Sequence, residues 1–128
     1  MARILVAEDD QDIRELISLT LQFSGFDVEA VEDGAAAVKI VQANQGQFDL
    51  ILMDVRMPHM TGYEACRRLK EMELTKHIPI VFLSAKGQEA EVQTGLDAGA
   101  EMYILKPFEH DVLIRTVNQV LDKEKPAL

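Results

Sequence analysis

Five short apolar runs, broken only by Glu29 in the second, alternate along the chain with five stretches of helical periodicity. The runs cover residues 4–7, 28–31, 50–53, 80–83 and 103–105, and the periodic stretches cover 13–23, 35–43, 63–72, 92–98 and 112–121. A strand that is apolar at every position is buried on both faces, as in a parallel sheet. The periodic stretches supply the long crossovers that parallel strands need. The pattern therefore predicts an α/β fold: a doubly wound, five-stranded parallel sheet with helices on both faces. With 128 residues there is material for one such core. Turn chemistry marks the joints: Asp12 with Glu15 reads as a capping box, Asp33-Gly34 opens the second helix, and Gly25, Gly46 and Gly99 stand where helices stop. Residues 1–123 are read as the domain and 124–128 as a flexible tail or the start of a linker.

In open α/β sheets, ligands bind at the carboxyl ends of the strands. The residues that close the apolar runs are Glu8-Asp9-Asp10, Asp54, Ser84 and Lys106-Pro107. Acids, a hydroxyl and an ammonium thus converge on one edge. Carboxylates from neighbouring strands repel unless a cation lies between them, and an all-oxygen acidic set suits Mg²⁺, for which Mn²⁺ would substitute. Lys106 offsets part of the charge and binds an arriving anion. Metal, lysine and hydroxyl are the parts that position a transferring phosphoryl group, which leaves Asp54 as the nucleophile.

Several function classes fall away on charge and composition. A formal charge of −9 opposes direct nucleic-acid binding, which rests on clustered Lys and Arg. No apolar run approaches the roughly 20 residues of a bilayer span, so a cytoplasmic protein without membrane attachment is expected. The single cysteine, Cys66, sits in a helical stretch and reads as a buried, inert thiol. His59, His77 and His110 are scattered without ligand spacing, which disfavours zinc, and read as exposed polar residues. Several of these residues also have a plainer reading: Asp10 as a helix cap, Ser84 as another, Tyr103 as core packing with a wet hydroxyl.

The ordered set Ile4-Leu5-Val6-Ala7-Glu8-Asp9-Asp10, Leu52-Met53-Asp54-Val55-Arg56-Met57-Pro58, Ser84-Ala85 and Lys106-Pro107-Phe108 resembles the receiver domains of response regulators, the CheY-like superfamily, over essentially the whole chain. The resemblance implies the flavodoxin-like strand order 2-1-3-4-5. It makes Asp54 the phosphoacceptor and Asp9 a direct Mg²⁺ ligand, with Glu8 acting directly or through water and Arg56 giving only its backbone carbonyl. It also gives Ser84 and Lys106 the phosphoryl oxygens, makes Lys106-Pro107 a cis peptide, and makes Tyr103, with Ser84, the switch. A histidine kinase, a phosphotransfer protein or a small phosphodonor would supply the group. The face made by the fourth helix, fifth strand and fifth helix would then bind a downstream effector protein.

Val112 and Thr116 fall where the DNA-binding regulators would want charged partners, so a monomer or a weak, phosphorylation-dependent dimer is expected. Such a protein catalyses its own phosphorylation and dephosphorylation and is not a turnover enzyme on a separate substrate. Arg56 and Lys86, each two residues past a site residue, are placed to gate the water that hydrolyses the acyl phosphate. The alternatives are a phosphorylation-independent pseudo-receiver scaffold and a Mg²⁺-dependent phosphohydrolase with an aspartate nucleophile, which would carry an acid where Arg56 stands. A flavin-binding module would want a Ser/Thr/Gly-rich loop in place of Glu8-Asp9-Asp10.

Overall fold

A computed structural model describes residues 2–85 and 89–123, with the backbone alone for 89–92. The order of elements is β1 (Arg3–Ala7), α1 (Gln11–Phe23), β2 (Asp27–Val31), α2 (Gly34–Ala43), β3 (Leu50–Asp54), α3 (Gly62–Glu71), β4 (Ile80–Ala85), α4 (Glu89–Asp97), β5 (Met102–Lys106) and α5 (His110–Lys123). The five strands form one parallel sheet in the order β2-β1-β3-β4-β5. The order in which strands are added reverses at β1, so the loops after β1 and β3 part there and leave a crevice.

Successive side chains of a strand point to opposite faces, and this alternation splits the core in two. Leu5, Ala7, Ile51, Met53, Ile80 and Phe82 meet α2 and α3 through Ala37, Val38, Val41, Ala65, Cys66 and Leu69. Ile4, Val6, Leu50, Leu52, Val81 and Leu83 meet α1 and α5 through Ile17, Leu21, Leu113, Val117 and Val120. Strand β3 is buried along its whole length, as the central member of such a sheet must be. Cys66 lies in the first of these layers, fully buried, and loss of water pushes its thiol up to about 11. It is inert at neutral pH.

The helix starts follow side-chain capping, with one departure from expectation. Asp33 caps α2 by accepting from the Ala36 N–H at 2.7 Å, and Thr61 caps α3 by accepting from the Glu64 N–H at 3.2 Å. At α1 the cap is Asp10, which accepts from the Ile13 N–H at 3.1 Å, and not Asp12. Helix α1 begins two residues earlier than its apolar period, so Asp12 falls in the first turn, where its charge still suits the helix dipole. After α2 the chain reverses at Gly46, with φ of +74°. A side chain there would also collide with the Leu74 carbonyl, so glycine is required twice over. No described helix is long and apolar enough to cross a membrane. Lys86 and residues 124–128, assigned roles above, lie outside the described residues.

Candidate functional site

The site is assembled by strand ends. Glu8 follows β1 directly, and its N–H continues the sheet ladder to the Val31 carbonyl at 3.1 Å, which carries its side chain into the crevice with no solvent exposure. Asp54 is the last residue of β3 and pairs in register with Leu83. Ser84 is therefore one step beyond Asp54 on the neighbouring strand. Lys106 ends β5 beside Ala85. Gly62, at the start of α3, returns against the backbone of Asp54 so closely that a Cβ would run into its carbonyl oxygen. Sequence reading placed these residues on one edge, and the structure brings Glu8, Asp9, Asp54 and Lys106 into contact range.

One carboxylate oxygen from each of Glu8, Asp9 and Asp54 lies within 4.8 Å of the others. Glu8 and Asp54 are buried, while Asp9 is exposed at the mouth. The Lys106 ammonium lies 2.5 Å from Glu8 Oε1 and 3.3 Å from Asp54 Oδ2. Burial, and then its hydrogen bond with Asp54, pushes Glu8 up to about 7 against the lowering pull of Lys106. Burial works against the charge on Lys106 too, but Glu8 and Asp54 outweigh it and hold the pKa above the ordinary lysine value. Three acids against one ammonium leave a negative pocket of hard oxygen donors, and no described Cys or His joins it. Those residues fit a divalent cation of the Mg²⁺ kind and not zinc.

The Ser84 hydroxyl adds a hydrogen-bonding group to this edge. Its Oγ is buried and has no hydrogen-bond partner among the described residues. Leaving a buried polar atom unpaired costs about 1–3 kcal/mol. An acceptor oxygen arriving beside Asp54 would offer that hydroxyl a partner. Lys106-Pro107 is a cis peptide. Arg56 is exposed two residues beyond Asp54. Tyr103 lies on β5 with 41% of its surface exposed, at a groove of about 710 Å³ that Leu96, Ile104, Phe108, Val112 and Thr116 also line. It is a wet aromatic at the α4–β5–α5 face and not core packing.

Two features escaped the sequence. Arg14, in the first turns of α1, donates from Nη1 to the Glu8 carbonyl at 2.8 Å. His59 is exposed, as expected, but it is not idle: its Nδ1 lies 3.0 Å from Asp33 Oδ2 and ties the loop after Asp54 to the cap of α2. The cap's amide partner Ala36, then His59, hold the Asp33 carboxyl below the usual range. His59 adopts φ of +68°, a left-handed turn that its side-chain type alone does not announce. An arginine four residues after a helix cap was the only available signal for Arg14.

Fold and site together define a class: a doubly wound domain whose switch-point crevice is lined for a divalent cation and an oxyanion. The chain belongs to the response regulator receiver domain family, whose sequence pattern it matches over residues 4–118. Such domains are the switches of two-component signalling; they are generally not turnover enzymes, and in general they bind Mg²⁺. The chain is 37% identical over 121 residues to the DNA-binding dual master transcriptional regulator RpaA of Synechocystis, covering 94% of this chain and 49% of that protein. It spans about half the length of the curated relatives it matches. Among solved structures it is similar to a response regulator of Chloroflexus aurantiacus, with a TM-score of 0.90 and 32% identity over 94% of this chain and 98% of that one. It is also similar to the chemotaxis response regulator CheY4 of Vibrio cholerae, with a TM-score of 0.85 and 35% identity over the same shares.

Proposed function

We propose that residues 1–123 act as a phosphoryl-accepting switch with Asp54 as the acceptor. The observation that carries this reading is the meeting of three carboxylates within 4.8 Å with the Lys106 ammonium, beside a buried Ser84 hydroxyl that has no partner among the described residues. Glu8, Asp9, Asp54 and the backbone carbonyl of Arg56 would hold Mg²⁺, whose charge would offset that of the phosphoryl oxygens. An Asp54 carboxylate oxygen attacks phosphorus, the bond from phosphorus to a donor's imidazole nitrogen or acyl oxygen breaks, and an acyl phosphate forms on Asp54. Water later cleaves it to carboxylate and inorganic phosphate. Lys106 pairs with one phosphoryl oxygen and Ser84 donates to another.

Movement of Ser84 toward the new oxygens vacates space behind β4 and favours an inward Tyr103. The groove beside Tyr103 then changes shape, and with it the binding of an effector protein. The donor is a cytoplasmic histidine kinase or phosphotransfer protein, and the chain is a monomer or weak dimer. Beryllofluoride, which mimics a phosphoryl group, tests this without a hydrolysis step. With Mg²⁺ present it should shift the backbone amide resonances of Ser84, Lys106 and the β5 segment around Tyr103. Shifts confined to the crevice, with none along β5, would leave the acceptor and remove the switch.

A further inference from the structure

The loop that carries Glu8 and Asp9 leaves the sheet abruptly. The pairing of β1 ends at Ala7 on both sides, opposite Val31 and Met53. The Glu8 N–H makes one last bond, to the Val31 carbonyl at 3.1 Å, and the backbone carbonyls of Glu8 and Asp9 have no strand partner among the described residues. The side chains do not tether the segment evenly either. Glu8 is held by Lys106, and Asp10 is spent on capping α1, while Asp9 makes no side-chain hydrogen bond to a described residue. The reach of the Asp9 carboxylate is therefore limited only by where its backbone sits.

Arg14 supplies what the sheet does not. Its Nη1 donates to the Glu8 carbonyl at 2.8 Å and reaches the Asp9 carbonyl at 3.5 Å, so one guanidinium spans the two successive residues that face Asp54. Arg14 is partly buried between α1 and the β2 side of the sheet, where Ser18, Leu19 and Ala30 border the same groove. The Arg14 N–H makes the first bond of its helix, to the carbonyl of the Asp10 cap at 2.9 Å, so its side chain springs from a fixed turn. We propose that Arg14 is a positioning residue for the divalent-cation site, fixing the backbone of Glu8 and Asp9 so that both carboxylates stay aimed at Asp54. This deepens the reading given above and rests on it.

Charge and position predict opposite outcomes. A guanidinium near a cation site repels the cation, so by charge alone its removal would tighten Mg²⁺ binding. Loss of the anchor would weaken it, since partners that orient metal ligands are commonly worth about tenfold or more in affinity. Calorimetric titration of the full chain with Mg²⁺ distinguishes the two, using wild type, Arg14→Met and Arg14→Lys. The Met variant should show a dissociation constant raised about tenfold. The Lys variant, which keeps the charge but loses the planar fork, should fall between it and wild type. If the Met variant does not fold, the Lys variant decides: weaker binding than wild type supports the role and equal binding removes it. Unchanged or tighter binding in either folded variant overturns the proposal and leaves the metal site standing. A wild type that takes up no Mg²⁺ overturns both.

Discussion

Glu8, Asp9 and Asp54 point like charges at one spot, and Lys106 answers only one of them in full. That repulsion is the residue-scale signature of a site kept for binding and not for stability. Asp54→Asn removes one acid while Lys106 keeps its shorter bond to Glu8. In chelator it should therefore stabilise the protein, by about 1 kcal/mol, the worth of roughly one pKa unit of relieved interaction. Urea unfolding with and without Mg²⁺ would show this, the gain shrinking as the metal neutralises the wild-type cluster. A variant less stable than wild type in chelator would mean that the Asp54–Lys106 pair outweighs the repulsion. At this scale the sequence was legible where a residue's position follows from strand direction. Glu8, Asp54, Ser84 and Lys106 all end apolar runs, and parallel strands put all such ends on one edge. Arg14 and His59 were not legible, because their partners depend on how loops fold back, and a histidine signals the left-handed turn at position 59 only weakly.

The elements themselves were legible from period alone, since all ten helices and strands overlap the stretches read from apolar spacing. Their ends were not, and the reason is side-chain competition. Asp10 and Asp12 both offer a capping oxygen to α1, and Asp10 wins because its N–H also bonds Glu8 Oε2 at 3.3 Å, which holds the turn. Helix α2 had a single candidate in Asp33, and it was identified correctly. Because the Ala36 amide and then His59 hold Asp33 below the usual carboxyl range, the fold favours its ionised form. The stabilisation is complete above the unfolded value of about 3.9 and is lost as pH falls through the lower folded value. Asp33→Ala should cost about 1 kcal/mol near neutral pH, a typical loss for an aspartate cap. Urea unfolding across pH should show that gap narrowing below about pH 4. A gap that stays constant into strong acid would mean that the carboxylate's charge contributes nothing to the cap.

For the whole molecule, the sheet order places the acid crevice at one end of the strands and the Tyr103 groove along one edge. The two are joined by β4 and β5, the strands that carry Ser84 and Lys106. A net charge of −9 disfavours close approach of this domain to a polyanion. The groove is lined mostly by apolar side chains, Val112 on α5 among them, with Glu101, Glu109 and Thr116 at its border. All of this depends on Asp54 accepting a phosphoryl group. The direct test is the intact mass of the chain after incubation with Mg²⁺ and acetyl phosphate, wild type against Asp54→Ala. A labile gain of one phosphoryl group in wild type, absent from the variant and abolished by chelation, is the predicted result. An equal gain in Asp54→Ala, or no gain in a wild type that also fails to bind beryllofluoride, would contradict it.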